Sequence, residues 1–148
     1  MEAKAFKEQF NDNRAKTFIV KPLFNCQGIG IFLTRHYEWI RPNEYYVAQK
    51  YVHKPYLIDD LKFDLRLYVL VTGTSPLRCF IYKEGLARFS TVKYEGPRPN
   101  NLNNHFMHLT NYAINKENPI FQQNQDECLD DEGHKRSLSA ILKRIDRD

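Results

Sequence analysis

Short apolar runs separated by turn residues dominate the chain, and they predict β-strands. Runs rich in β-branched and aromatic residues lie at 17–20, 31–33, 45–52, 63–71, 78–83 and 86–90. Such runs, bounded by glycine, proline or asparagine, are typical of strands. Residues 137–145 differ, because their apolar positions recur at the three- and four-residue spacing of an amphipathic helix. The pattern thus predicts a set of strands followed by one helix.

The run at 63–71 is the most informative of these strands. A turn at 72–76 separates it from 78–83, and residues 84–85 lead into 86–90, so we expect three neighbouring antiparallel strands. Side chains alternate between the two faces of a strand. One face carries Lys62, Asp64 and Arg66, and the other is expected to be a core face, with Phe63, Leu65, Leu67, Val69 and Val71. The charged face is solvated, internally paired or turned towards a charged ligand.

Composition limits the classes of protein. With 148 residues, 42% of them hydrophobic, the chain can form one domain or part of a larger one. It has no apolar run long enough to span a membrane, and its first residues do not resemble a secretory signal. Three widely spaced cysteines favour reduced thiols in the cytoplasm. A net charge of +4 favours acidic partners, while the absence of a dense basic tract argues against nucleic acid.

The segments outside the predicted strands are polar. Residues 1–16 are expected to form a frayed or helical N-terminal segment before a domain at 17–148. Residues 95–104 are rich in asparagine, proline and glycine and predict a loop. Residues 126–132 are acidic but lack the spacing of a calcium-binding loop, so we expect them to be solvated.

Two segments could bind a nucleotide. Lys21 precedes Gln27-Gly28-Ile29-Gly30, where a lysine and glycine backbone amides could hold phosphate, although an ordinary turn is the alternative. The polar pair Gln49-Lys50 precedes Tyr51-Val52, and this strand could line the edge of an adenine ring or simply be an edge strand.

Three further features suggest chemistry or structure. Arg88 alternates with apolar neighbours, as an arginine does when it binds a carboxylate or phosphate, with a surface salt bridge as the alternative. Lys135 is a candidate anion-binding residue or a solvated charge. His105 and His108 have no third ligand nearby, so we expect no metal site there. Instead, His108, Thr110 and Asn111 are expected to fix the shape of a loop by hydrogen bonds.

Taken together, these motifs resemble the tubulin–tyrosine ligase-like family. The resemblance rests on FIVKP at 18–22, CQGIGI at 26–31, QKYV at 49–52, KFDLR at 62–66, EGLARF at 84–89 and HLTNY at 108–112. The segments GLARF and MHLTNYAINK are most similar to the tubulin polyglutamylases. The resemblance implies an α+β ATP-grasp fold, incomplete in this chain, with antiparallel sheets and flanking helices.

The same resemblance implies roles for individual residues. Those expected to hold ATP are Lys21, Gln27, Gly28, Gln49, Lys50, Tyr51, Val52, Lys62, Phe63, Asp64, Thr110 and Asn111. Those expected to bind the incoming amino acid are Arg88, Tyr112 and Lys135. Arg66 and Arg88 are the expected catalytic residues, and Arg66 would stabilise phosphoryl charge. The Mg²⁺ ligands are expected outside this chain, which ends before the Glu-x-Asn motif of the family and lacks its N-terminal domain.

The implied activity is ATP-dependent addition of glutamate to side-chain carboxylates of tubulin C-terminal tails through an acylphosphate. Its partners would be ATP, Mg²⁺, free glutamate and the acidic tails of microtubules. The expected location is the cytoplasm and the cytoskeleton, with a cilium or basal body as a further expected site. Two alternatives stay open: a tubulin glycine ligase, and a nucleotide- or microtubule-binding protein without catalysis. Whether this stretch is active alone is also open.

Overall fold

The computed structural model describes residues 6–8, 10, 16–41, 43–124 and 131–147. Its strands are β1 (Phe18–Pro22), β2 (Phe32–Thr34), β3 (Tyr46–Lys50), β4 (Leu57–Ile58), β5 (Leu61–Arg66), β6 (Val69–Thr74), β7 (Leu77–Ile81), β8 (Leu86–Phe89) and β9 (Lys135–Ser137). Its helices are α1 (His105–His108), α2 (Tyr112–Asn115) and α3 (Leu138–Ile145), with a 3-10 turn at Tyr37–Trp39. Every strand pair is antiparallel, which confirms the expected α+β class.

The first sheet has the strand order β2-β1-β3, close to the strands that the apolar runs predict. Its central strand buries Phe18 and Val20, which are two residues apart and therefore share a face. Helical residues before it add the rings of Phe6 and Phe10, which lie 5.2 and 4.4 Å from that of Phe18. In its described residues, the N-terminal segment is thus helical and packed against the sheet.

The second sheet has the order β4-β5-β8-β9 and carries the main core. Ile58, Ala87, Phe89 and Ile141 are buried together, with Leu61 and Phe63 packed against them. The ring of Phe63 stacks on that of Phe89 at 5.2 Å between centroids. One face of β5 and β8 is therefore committed to packing, and the opposite face is left for polar side chains.

The expectation of three neighbouring strands along 63–90 is wrong. The run at 63–71 breaks after Arg66 into β5 and β6, and β5 pairs directly with β8. Strands β6 and β7 form a separate two-stranded hairpin. After β5 the chain forms this hairpin outside the sheet and then returns as β8, which pairs with β5. Local sequence does not encode this pairing, because it depends on tertiary contacts.

The expected core face is also wrong beyond Phe63. Leu65, Leu67, Val69 and Val71 are 42 to 56% exposed. Leu70, on the opposite face of β6, is 62% exposed as well, and no second layer among the described residues covers the hairpin. Alternating apolar residues therefore mark a strand here without marking its burial.

Helix α3 confirms the amphipathic prediction. The Ser137 hydroxyl caps its first turn by accepting from the Ala140 amide at 3.1 Å. The Glu84 carboxylate accepts from the amides of Gly85 and Ser139, which ties the helix start to the turn before β8. Leu138 and Ile141 are buried, whereas Leu142 and Ile145 remain partly exposed.

Strand β9 was not anticipated. Its central residue, Arg136, is buried, and its guanidinium lies 4.2 Å from the centroid of the Phe89 ring. The same group pairs with Asp59 at 2.7 Å. An arginine is thereby accommodated at the core edge because its charge is paired and its plane stacks on an aromatic ring.

The remaining expectations are only partly covered by the described residues. Cys26 and Cys79 are free and exposed, as expected for reduced thiols, and Cys128 lies outside the described residues. Most of the acidic loop, residues 126–130, lies outside them as well. Among the helices that the structure describes, none has the length and apolar composition needed to cross a membrane.

Candidate functional site

Five of the residues predicted to hold a nucleotide line one cavity, which we call the loop cavity. It has a volume of about 370 Å³, and the five residues are Lys21, Gln27, Gly28, Gln49 and Asn111. Lys21 and Gln49 come from the paired strands β1 and β3, and the Lys21 ammonium donates to the Gln49 amide oxygen at 2.7 Å. This hydrogen bond holds the lysine at the cavity without neutralising its charge, so it can still bind an anion.

The glycine of this loop allows a close approach to helix α2. Gly28 has φ of +91°, and a Cβ built on it would lie 2.5 Å from Ile114 Cδ1 and 3.0 Å from Asn111 Cγ. Only glycine fits both the left-handed backbone and this spacing. The loop after β1 is thereby held against Asn111, which brings two sequence motifs more than 80 residues apart into one cavity.

The four residues predicted for amino-acid binding and catalysis line a second cavity, which we call the arginine cavity. Its volume is about 290 Å³. Its walls include Arg66, Arg88, Tyr112 and Lys135, together with Thr110. Three cations around one small cavity, with a phenol beside them, supply positive charge and hydrogen-bond donors that suit an anionic ligand.

Strand register explains why these cations converge. Asp64 on β5 lies opposite Arg88 on β8, and Arg88 lies opposite Lys135 on β9. Directly opposed residues on antiparallel strands project to the same face. A row of one carboxylate and two cations therefore crosses the sheet on the face that does not carry the core.

Asp64 orients Arg88 through a bidentate ion pair. Arg88 Nε lies 2.8 Å from Asp64 Oδ1, and Arg88 Nη2 lies 2.6 Å from Oδ2. The Thr110 hydroxyl also donates to Oδ2 at 2.9 Å. This carboxylate raises the pKa of Arg88, and it leaves the Nη1 hydrogens of the guanidinium available to a ligand. Arg88 is thus presented to the cavity in a fixed orientation.

Lys62 lies on the same face of β5 as Asp64, as the alternation predicts. Its ammonium donates to the Tyr51 hydroxyl at 3.1 Å and to the His108 carbonyl at 2.8 Å. Burial lowers the pKa of Lys62 to about 8; the positive charge of Lys21 lowers it as well, and Asp64 opposes the shift. Of the predicted row, Lys62 and Asp64 are internally paired, and Arg66 lines the arginine cavity.

The other predicted nucleotide residues are placed differently. The Phe63 ring packs in the core, so only its backbone can face a ligand. Tyr51 is buried and Val52 is 67% exposed. Lys50 lines neither cavity named above, but a separate one with Arg35 and Arg98.

The loop that contains His108 and Thr110 is fixed by hydrogen bonds, as expected. His108 bonds through Nδ1 to the Tyr51 hydroxyl and through Nε2 to the Asn101 carbonyl, while Thr110 bonds to Asp64. Burial lowers the pKa of His108 to about 4. Across the described residues, no group of three or more histidine, cysteine or acidic side chains could hold a metal ion.

Three residues around the site were missed at the level of sequence. Asn115 is buried, and its side chain bonds to the Thr91 amide and to the carbonyls of Leu109 and Asn111, which fixes the loop. Its position at the end of MHLTNYAIN was the available signal. Phe121 and His134 stack at 5.5 Å in the wall of the arginine cavity, and no local pattern pointed to them.

Magnesium does not fit the described residues alone. The only carboxylate among the residues discussed at the two cavities is Asp64, whose two oxygens are occupied by Arg88 and Thr110. A hard divalent cation needs several free oxygen ligands. These residues supply cations and hydrogen-bond donors for anionic ligands, and they do not supply a cation site.

Comparison with known proteins identifies one family. The model of the tubulin-tyrosine ligase family matches residues 1–147. A probable beta-tubulin polyglutamylase of Tetrahymena thermophila is 54% identical over 143 residues, 95% of this chain. The tubulin polyglutamylases TTLL13 of Homo sapiens and ttll6 of Danio rerio are 50% and 47% identical over 92% and 95% of the chain.

Coverage of these relatives is low, since the chain spans only 12, 16 and 18% of their respective lengths. Among solved structures, the C-terminal domain of K. lactis Pby1, an ATP-grasp enzyme, is 24% identical with a TM-score of 0.44, over 80% of this chain and 36% of that one.

Proposed function

Because the chain belongs to the tubulin-tyrosine ligase family, we propose that it forms the substrate-binding core of an ATP-dependent ligase that adds glutamate to tubulin. ATP would occupy an ATP-grasp site at the loop cavity, and free glutamate would occupy the arginine cavity. The acceptor would be a side-chain carboxylate in an acidic tubulin tail. The single observation that carries the proposal is the convergence of Arg66, Arg88 and Lys135 on one cavity beside the loop cavity.

The two cavities suit the two small substrates. Lys21 and the backbone around Gly28 supply positive charge and close-approach amides for phosphate oxygens. Lys62 adds a second cation: burial is the main cause of its lowered pKa, and the charge of Lys21 lowers that pKa further. In the other cavity, Arg88 and Lys135 would hold the carboxylates of free glutamate, and Tyr112 would contact it. Thr110 and Asn111 are consecutive and line one cavity each, so the two substrates would lie side by side.

The reaction explains why cations are needed. A carboxylate is a poor electrophile, so its oxygen first attacks the γ-phosphorus of ATP, which gives an acylphosphate and ADP. The glutamate amine then attacks the acyl carbon, phosphate leaves with the bonding electron pair, and the nitrogen loses a proton as the amide forms. Negative charge develops on oxygens in both steps, and preorganised cations such as Arg66 stabilise it. Mg²⁺, when bound, would neutralise phosphate charge, and its ligands would come from residues other than those described.

The proposed protein partner is the acidic tail of tubulin, and binding to it would bring the protein to the microtubule cytoskeleton. The net charge of +4 favours association with a glutamate-rich chain. The polyglutamylase names belong to the relatives, and the extension to this chain rests on their 47 to 54% identity.

The test is incorporation of radiolabelled glutamate into tubulin by the protein in its complete natural form. We expect ATP-dependent label in the tails, which is lost after removal of the tails with subtilisin. Labelled glycine serves as the competing substrate, and its preferential incorporation would point to a glycine ligase instead. ATP binding without incorporation of either amino acid into any tubulin would overturn the proposed activity.

A further inference from the structure

A buried chain of hydrogen bonds ends at Lys62. Its ammonium donates to the Tyr51 hydroxyl at 3.1 Å, and that hydroxyl lies 2.9 Å from His108 Nδ1. The second ring nitrogen, Nε2, lies 3.1 Å from the Asn101 carbonyl oxygen. His108 is fully buried and Tyr51 is 4% exposed, so water does not compete for these groups.

The chemistry of the partners fixes the direction of every hydrogen bond. A carbonyl oxygen only accepts, so His108 Nε2 carries the hydrogen and donates to Asn101. In the neutral ring, Nδ1 must then accept, and the Tyr51 hydroxyl donates to it. The phenolic oxygen is therefore free to accept from Lys62. Burial keeps His108 neutral, with a pKa of about 4, and raises the pKa of Tyr51.

Tyr51 and His108 form hydrogen bonds that core packing alone does not require. The Tyr51 ring already packs with Leu33 and Leu102 in a buried cluster, and phenylalanine would fill the same space. The hydroxyl adds an acceptor for a cation that is costly to bury. The Lys62 ammonium also lies 4.6 Å from the centroid of the Tyr51 ring, which favours its charged form.

We propose that the Tyr51 hydroxyl and the His108 imidazole are positioning residues that keep Lys62 charged and directed at the phosphates of the nucleotide. The inference rests on the proposed function, since it assigns the anion to ATP. Two of the three ammonium hydrogens are held by Tyr51 and the His108 carbonyl, which leaves one for a phosphate oxygen. The other titratable groups around Lys62 are Lys21 and Asp64, and Tyr94 faces Tyr51.

The experiment measures ATP affinity directly against pH, by calorimetric titration of the complete protein with a non-hydrolysable ATP analogue. In the wild type we expect affinity to fall above about pH 8, as Lys62 loses its proton. Tyr51→Phe removes an acceptor that favours the charged lysine, so the fall in affinity should begin about one pH unit lower. Affinity at pH 7.5 should drop roughly threefold, because the charged fraction of Lys62 falls by that factor. Tyr46→Phe is the matched control, because Tyr46 lies on β3 and its hydroxyl bonds to the exposed Glu44. This variant should leave both the pH profile and the affinity unchanged.

A second pair of variants tests His108 without relying on Tyr51. Asparagine and leucine have the same number of side-chain heavy atoms, but only asparagine can accept from the Tyr51 hydroxyl. We expect His108→Asn to retain most of the wild-type pH profile and His108→Leu to match Tyr51→Phe. Thermal unfolding confirms that each variant is folded before titration.

The outcomes separate the inference from the proposed function. Tyr51→Phe with a wild-type pH profile would overturn the positioning role even if tubulin is glutamylated. A shifted profile in a protein that never modifies tubulin would support the role and count against the ligase. Failure of the wild type to bind the ATP analogue would overturn both.

Discussion

Lys62 and Arg88 lie on neighbouring strands, β5 and β8, yet they are held in opposite ways. Lys62 is surrounded by neutral acceptors, the Tyr51 hydroxyl and the His108 carbonyl, and burial lowers its pKa to about 8. Arg88 is paired with the Asp64 carboxylate, which raises its pKa further. Lys62 therefore has a pKa of about 8, whereas Arg88 stays charged at every pH at which the protein is folded.

The difference indicates that the two proposed subsites respond to different conditions and substitutions. The nucleotide side depends on a lysine whose charge is conditional, so it responds to pH and to the loss of a neutral acceptor. The amino-acid side depends on an arginine whose charge is permanent and whose orientation is set by a carboxylate. Variants and conditions can therefore disturb one side and leave the other intact.

The largest expected effect is on the arginine side. Arg88→Ala should raise the KM for glutamate roughly 100-fold, because the cation that would hold a glutamate carboxylate is lost and Asp64 loses its ion-pair partner. ATP affinity should change less than about threefold. The measurement is steady-state kinetics with each substrate varied, and Arg78→Ala on the exposed hairpin strand β7 is the control. An equal loss for ATP and glutamate would show that the two sides are not separate.

Acid should disrupt the hydrogen bonds of Lys62, Tyr51 and His108 before the Asp64–Arg88 pair. The pKa of His108 is lowered from 6.5 to about 4, so the unfolded chain binds a proton in this range that the folded protein does not. The contribution of neutral His108 is fully present above pH 6.5 and is lost as pH falls through 4. The free energy of unfolding should fall by on the order of 3 kcal/mol across this interval.

Urea titrations at several pH values measure this loss. His108→Asn should flatten the pH dependence because the titrating ring is gone. An unchanged slope in that variant would assign the acid sensitivity to other groups.

The loop cavity offers a third test, with a glycine pair as matched variants. Gly28→Ala puts a side chain on a backbone with φ of +91° and a Cβ 2.5 Å from Ile114 Cδ1. We expect a loss of roughly 1–3 kcal/mol of stability and about tenfold weaker ATP binding. Gly96→Ala should be silent, because nothing lies within 4 Å of its added Cβ. Normal ATP affinity in Gly28→Ala would remove this loop from the nucleotide site.

The smallest effect should come from the Thr110 hydroxyl, which donates to Asp64 Oδ2 at 2.9 Å. Thr110→Val removes a hydrogen bond, worth about 1 kcal/mol, that helps Asp64 to orient Arg88. The KM for glutamate should therefore rise about fivefold. Thr110→Ser keeps the hydroxyl and should behave as wild type. Equal behaviour of the valine and serine variants would mean that Asp64 orients Arg88 without Thr110.

Much of the local structure follows from the sequence. The runs containing Phe18 and Val47 predict β1 and β3, and the spacing of Leu138 and Ile141 predicts α3. These elements are recognisable because their apolar period matches their geometry. The motif residues also converge as expected, since Arg66, Arg88, Tyr112 and Lys135 line one cavity.

The failures concern pairing and burial. No local signal says that β5 pairs with β8 and excludes the intervening hairpin, because that choice depends on which surfaces meet in the folded chain. The burial of Arg136 in β9 has no local signal in the sequence, and only its contacts with Phe89 and Asp59 explain it. Likewise, the hydrogen-bond partner of Lys62 lies 46 residues away at His108.

The exposed hairpin has a consequence for handling the protein. Six large apolar side chains on β6 and β7 are more than half exposed: Val69, Leu70, Val71, Leu77, Phe80 and Ile81. A two-stranded sheet with two open edges and an exposed apolar surface promotes self-association of the protein. Salting-out salts strengthen this association because they favour the burial of apolar surface. Light scattering by the purified chain should therefore grow with protein concentration and with ammonium sulfate, and low-salt buffers should keep it dispersed.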